Sequence, residues 1–243
     1  MSRSLKDFKA LTFDCYGTLI DWESGIWDAF QPLIIANGAP DVDRRALFAA
    51  YGELEHGLET EFPGMLYPDI LTRVHHGVAA KLGLKTTDAL DHDYGQSVPY
   101  WPAFKDSADA LRALKKHYRL IILSNVHRDG IAASCRKLGV EFDAAYVAED
   151  IGAYKPADAN FHYLLEHVKA DFGLEKDDIL HTAQSLLHDH GPARQFGIAN
   201  AWIDRQRLSE TGEKGVIAIP GEIPETDYHF FTLAEMVEAV EAA

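Results

Sequence analysis

A chain of 243 residues, 47% hydrophobic, with a formal charge of −15, can bury a sizeable core as one large domain or as a core with a smaller cap. That charge, without any basic run, argues against nucleic acid, which needs clustered Lys and Arg. Two cysteines, Cys15 and Cys135, make no disulfide framework and fit a reducing cytoplasm.

The polar N-terminus is expected to enter a strand directly, without a signal peptide. No apolar run approaches the ~20 residues of a membrane span, so no membrane partner is expected. Six apolar β-type runs follow one another along the chain: 8–14, 119–124, 144–149, 179–183, 199–203 and 228–231. Amphipathic helical patterns near 107–117, 128–138, 159–171 and 188–196 separate the later ones. Strands alternating with helices predict an α/β protein with a parallel sheet covered on both faces. One block breaks the alternation. Residues 24–98 read as successive helices, with turn signals at Asn37-Gly38, Pro63-Gly64 and Leu82-Gly83. Inserted after the first strand, over its carboxyl end, those helices can form a lid that excludes water. The stretch 208–224 reads as a long surface loop before the last strand and helix.

The first strand ends in Asp14, followed by Cys15, Tyr16, Gly17 and Thr18. A carboxylate at a strand's carboxyl end stands where open α/β sheets build their sites, and Gly17 permits a tight turn there. Cys15 reads as a small buried hydrophobe. Ser124 and Asn125 end the second candidate strand, with neutral groups suited to a small carboxylate; helix capping is their plainer reading. Lys155, held between Tyr154 and Pro156, can reach Asp14 and attract an anion. Asp189 is flanked by His188 and His190, with His181 nearby. Histidines two apart point in different directions on a helix, so no metal centre is expected from them. There is no Gly-x-Ser-x-Gly elbow, Walker loop or Gly-x-Gly-x-x-Gly fingerprint. Trp22, Tyr67, Trp101 and Phe104 can line a small apolar pocket. Glu55, Glu59 and Glu61 are the carboxylates that would matter to an amine-bearing substrate, a solvated helix face being the simpler reading.

The run Asp14-Cys-Tyr-Gly-Thr resembles the first motif of the haloacid dehalogenase superfamily, Asp-x-Asp-Gly-Thr in its phosphatases, with Tyr16 in place of the second aspartate. Its magnesium-dependent members carry Gly-Asp where this chain has Ala183-Gln184. Within the superfamily, Asp-Cys-Tyr-Gly-Thr and Gly-x-Tyr-Lys-Pro look like the type II (S)-2-haloacid dehalogenases. The resemblance implies a Rossmann-like parallel-sheet core (1–20 and 99–243) with an inserted all-helical cap (21–98). It implies a metal-independent hydrolase, free of cofactors, that attacks C2 of a small 2-substituted carboxylate. Asp14 would be the nucleophile, Lys155 its charge partner, Thr18 its support and Asp189 the group serving the hydrolytic water. Ser124 would bind the carboxylate, with the segment at Cys15 and Tyr16 in the same cradle. Asn125, Trp22, Tyr67, Trp101, Gln184 and His188 complete the expected substrate contacts. Dimers are common in that family, which leaves a homodimer open on analogy alone.

Two departures stand out. The dehalogenases' halide-holding cap arginine has no counterpart near 49–51, and their Ser and Asn ahead of the last aspartate are here Gln184 and Leu186. The chain is also similar to the (S)-azetidine-2-carboxylate hydrolases. That likeness runs through Phe-Asp-Cys-Tyr-Gly-Thr-Leu-Ile-Asp-Trp-Glu, Trp-Pro-Ala-Phe, Asp-Ile-Leu-His-Thr-Ala and the cap segment from Thr60 to Leu71. It implies the same attack with a ring nitrogen as leaving group, giving 4-amino-2-hydroxybutyrate. A cation at the halide place would repel a protonated ring amine. Halide and ring amine both stay open, ahead of a phosphatase or an inactive binding scaffold.

Overall fold

The computed structural model describes residues 3–211 and 224–243. Six strands form one parallel sheet: β1 (Ala10–Phe13), β2 (Arg119–Ser124), β3 (Ala144–Val147), β4 (Ile179–Ala183), β5 (Ala199–Ile203) and β6 (Tyr228–Phe230), in the order β3-β2-β1-β4-β5-β6. From β1 the chain builds outward on one side through β2 and β3, then returns to the other side for β4. The order therefore reverses beside β1, and the crevice beyond the carboxyl ends of β1 and β4 is the natural ligand site of such a sheet.

Alternation along each strand divides the residues between two faces. Leu11, Phe13, Leu120, Ile122 and Leu180 join the larger apolar cluster, while Ala10, Ile121, Leu123 and Ile179 pack with Phe161, Leu164 and Val168 on the other face. Four helices follow β1: α1 (Trp22–Ala36), α2 (Arg44–Glu61), α3 (Tyr67–Lys81) and α4 (Asp88–Gly95). Asp21 caps α1, accepting from the Ser24 amide at 3.1 Å, which turns the chain sharply out of the site loop and into the helical block. The remaining helices are α5 (Ser107–Leu114), α6 (Arg128–Leu138), α7 (Ala148–Ile151), α8 (Asp158–Phe172), α9 (Gly191–Gln195), α10 (Leu208–Thr211) and α11 (Leu233–Ala242). Among the described residues no helix is long and apolar enough to cross a membrane.

Three sequence expectations need correction. The third strand stops at Val147, because 148–151 turn into a short helix closed by Gly152 in the left-handed region (φ 75°). The pattern expected to be a helix from His188 begins instead as a π turn, Leu186–His190, before α9. Of the loop expected over 208–224, residues 208–211 are helical, and 212–223 lie outside the described residues.

Candidate active site

Asp14 leaves β1 on the face shared by Ala10 and Thr12, and both oxygens of its buried carboxyl group are held. Thr18 Oγ1 donates to Asp14 Oδ2 at 2.8 Å and accepts from the Gln184 amide at 2.8 Å, tying the β1 loop to the end of β4. Gly17, at φ 97°, makes this turn possible, and a Cβ there would stand 2.8 Å from Trp22 Nε1. Lys155 Nζ spends its three protons on Asp14 Oδ1 (2.9 Å), Asp189 Oδ1 (2.7 Å) and the Leu123 carbonyl (3.0 Å). One ammonium thus joins two carboxylates. Asp189 comes from the π turn, a feature frequent at functional sites. His181 Nε2 gives its Oδ1 a second donor at 2.8 Å, while its buried Oδ2 has no partner.

Above this foot lies a small cavity of about 70 Å³. Ser124 lines it with a buried hydroxyl that has no partner, as expected of a group kept for a ligand. His188 lines it too, its buried Nε2 unpartnered. Tyr16 turns its hydroxyl away to Ser134 (2.8 Å) and packs edge-on against Trp101. Trp22, Tyr67, Trp101 and Gln184 also border the space. Gln184's side-chain amide donates to Gln206 Oε1 at 3.1 Å.

Several expected contacts fall elsewhere. The Cys15 side chain is fully buried in the core and does not line the cavity; its carbonyl accepts from the Leu19 and Ile20 amides. Asn125 borders the cavity, yet its amide clamps Lys155, accepting from the backbone N–H at 2.6 Å and donating to the carbonyl at 3.0 Å. Phe104 lies under the Arg205 guanidinium, 4.3 Å away, and outside the lining. Glu61 is exposed. The histidines diverge: His181 serves Asp189, His190 bonds Asn200 and the Ala183 carbonyl, and only His188 reaches the cavity. Among the described residues no group of three or more His, Cys, Asp or Glu is arranged to hold a metal ion.

The pocket's lining is mostly apolar, but it also carries two acids beyond Asp14 and Asp189. Glu55 and Glu59, four apart on α2, are buried in its helical wall. Glu55 Oε1 accepts from Tyr67 (2.6 Å) and Tyr51 (2.7 Å). Burial pushes Glu55 up from the usual carboxylate value, opposed by those two hydroxyls. Burial, reinforced by Glu55, pushes Glu59 well above it, against the Lys155 ammonium and a hydrogen bond from Asn125. Asp14 is also raised, burial and the Asp189 charge outweighing Lys155 and Thr18. Asp189 goes the other way. Burial works against its charge, but Lys155 and His181 hold it well below the ordinary range. Burial pushes His188 down to about 4, leaving a neutral imidazole at pH 7. Tyr51, Ser134 and Thr12, together with His181 as the partner of Asp189, escaped the sequence reading. One signal was available: Thr12 and His181 are polar residues within otherwise apolar strand runs.

A half-anchored carboxylate beside a fully anchored one, both on a single lysine, suits covalent attack followed by hydrolysis. A model of the haloacid dehalogenase-like hydrolases matches residues 8–181, and the chain belongs to that family of enzymes. An (S)-2-haloacid dehalogenase of Pseudomonas putida is 28% identical over 215 residues, covering 83% of this chain and 87% of the relative. A phosphoglycolate phosphatase of Photorhabdus laumondii is 26% identical over 188 residues, covering 76% and 75%. The fold is shared with the L-2-haloacid dehalogenase from Xanthobacter autotrophicus carrying covalently bound chloropropionic acid, at TM-score 0.76 and 18% identity, covering 96% of this chain and 98% of that one.

Proposed function

We propose that this hydrolase attacks C2 of a small 2-substituted carboxylic acid through an Asp14 ester. One observation carries the reading: Lys155 joins a carboxylate whose two oxygens are both held, Asp14, to one with an unpartnered oxygen, Asp189 Oδ2. Asp14 displaces the 2-substituent with inversion while the Ser124 hydroxyl binds the substrate carboxylate. Asp189 Oδ2 then accepts a proton from the water that attacks the Asp14 carbonyl carbon. The acyl–oxygen bond breaks, and the 2-hydroxy acid leaves. Tyr16 stands where the phosphatases keep a leaving-group acid, and its hydroxyl, pushed well above its usual value by burial, is bound to Ser134 instead. Expulsion of a stable anion from carbon needs no such acid. The named activity of the Pseudomonas putida relative supports a halide as leaving group.

A second reading is favoured by Glu55 and Glu59. Among the lining residues described, Lys155 is the only Lys or Arg, and two further carboxylates in the wall suit a substituent that is itself a cation. (S)-Azetidine-2-carboxylate, whose strained ring opens to 4-amino-2-hydroxybutyrate, meets that condition. The test is an assay in EDTA offering (S)-2-chloropropionate and (S)-azetidine-2-carboxylate in parallel, with Asp14→Asn as control. Halide release lost in the variant supports the first reading, and ring opening without halide release the second. Turnover of either substrate by Asp14→Asn at the wild-type rate would refute both.

A further inference from the structure

We infer that His181 is a positioning residue for the hydrolytic half of the reaction, acting through a buried Thr12–His181–Asp189 chain. The inference rests on the proposed Asp14 ester. Thr12 and His181 are register partners on β1 and β4, and both are fully buried. They lie on the face of the sheet that packs against α8, where Phe161 closes edge-on over the imidazole at 5.7 Å. An aliphatic side chain would fill either position without the cost of burying polar atoms.

With a neutral imidazole the hydrogen bonds have one consistent direction. An ionised Asp189 can only accept, so His181 Nε2 carries the proton and donates to Oδ1 at 2.8 Å. Nδ1 is then an acceptor, and the Thr12 hydroxyl donates to it at 2.9 Å, fixing the ring's orientation. With Lys155 on the same oxygen, Oδ1 is occupied twice and Oδ2 not at all. A lysine ammonium is a rotating point charge that binds either oxygen equally well. The planar imidazole is the directional element, and it keeps the carboxylate from turning.

This restraint matters most after Asp14 has been alkylated. Esterification removes the negative charge from Asp14, leaving Asp189 as the carboxylate that Lys155 bonds directly among the described residues. The ammonium is then drawn to Asp189 and would bridge both of its oxygens. His181 holds Oδ1 in place, so Oδ2 stays open to water. The step balances: water gives a proton to Asp189 Oδ2 as its oxygen bonds to Asp14 Cγ, and collapse breaks the Cγ–O bond to C2. The alkoxide takes the proton of the new Asp14 carboxyl, and Asp189 releases its own to solvent.

The test is single-turnover kinetics with (S)-2-chloropropionate and with (S)-azetidine-2-carboxylate, the Asp14 peptide being followed by mass spectrometry. In His181→Phe the ester should form at the wild-type rate and its hydrolysis should slow about tenfold, the loss of one hydrogen bond to a charged group. The ester then accumulates, and kcat falls while kcat/KM, set by ester formation, holds. His181→Gln, which restores an N–H near the place of Nε2, should recover most of the rate. Thr12→Val should show the same signature, weaker, and serves if the Phe variant does not fold. Loss of kcat and kcat/KM together, or unchanged hydrolysis in all three variants, would overturn the positioning role. No mass shift at Asp14 even in Asp189→Asn, where hydrolysis should stall, would instead overturn the ester reading, and this inference with it.

Discussion

Replacing Lys155 by Met keeps most of the side-chain volume and removes the charge on which the site is built. The lysine is 2% exposed, and its Nζ contacts Asp14, Asp189 and a backbone carbonyl at 2.9, 2.7 and 3.0 Å. Removing one partner from a buried ionic cluster costs about 3–5 kcal/mol, because the remaining charges stay desolvated. For a chain of this size that is a fall in Tm of about 10 °C. The loss depends on pH in a definite direction. Without the ammonium, Asp14 and Asp189 face each other and one binds a proton, so its folded pKa rises above the unfolded one. Such a group contributes fully below the unfolded pKa, and its contribution is lost as pH rises through the folded value, by about 1.4 kcal/mol per pH unit and proton. In the native protein Asp189 is held low, so its stabilisation persists until pH falls through that low value. Native Asp14 is itself raised, so the gap widens where the proton shared in the variant titrates above native Asp14. Melting curves near pH 5 and near pH 8 should show a small gap and a large one, with turnover abolished at both. A gap that stays constant across that range would mean that Lys155 is not the counter-charge of the pair.

Ser124→Ala should raise KM about tenfold and leave kcat nearly unchanged, as expected for a hydrogen bond to a substrate carboxylate made equally in ground and transition states; an unaltered KM would remove Ser124 from the binding set. Glu59→Gln should raise Tm at alkaline pH and not in acid. The raised pKa of Glu59 means that its contribution is full below the unfolded value and is lost as pH rises through the folded one, so differential scanning calorimetry across pH 4–8 reads the sign directly. Gly25→Ala and Gly57→Ala make an internal comparison in two helices. A Cβ on Gly25 would stand 2.3 Å from Trp101 Cγ, whereas one on Gly57 meets nothing within 4 Å. The first should cost about 1–3 kcal/mol and the second should gain about 0.5–1 kcal/mol, with denaturant midpoints moving in opposite directions.

Where the local pattern decides structure, the sequence was readable to the residue: β2, β4, β5 and α6 occupy the spans their hydrophobic periodicity marks. Asp14, Lys155 and Asp189 were legible because each follows a strand, and in a parallel sheet strand ends on one side of the layer converge. What stayed hidden depends on which strand lies beside which. Thr12 and His181 are 169 positions apart in the chain, and only the pairing of β1 with β4 brings them together. Asn125 has the chemistry of a ligand contact, but the position of Lys155 claims its amide. Phe104 has the character of a pocket wall, but Arg205, held by Asp106 and the Thr18 carbonyl, draws it under its own guanidinium. Polar and aromatic residues at a site edge therefore announce that a site exists, while the backbone geometry decides which of them touch the ligand.

The electrostatics of the cavity follow from the same convergence. Asp14 and Asp189 follow β1 and β4, Glu55 and Glu59 belong to α2, and one lysine stands among all four. The sheet pair settles its charges by sharing that lysine. The α2 pair has no cation of its own, and its shifted carboxyls record the strain of holding two acids in a dry wall. An anionic substrate entering such a space adds one more negative charge, which a proton on the α2 pair would offset. A substrate that brings an ammonium offsets the charge itself and draws both carboxyls back toward their ordinary range. If Asp14 attacks as proposed, the wall opposite it separates the two leaving groups, since the Asp14–Lys155–Asp189 arrangement would serve either displacement equally well.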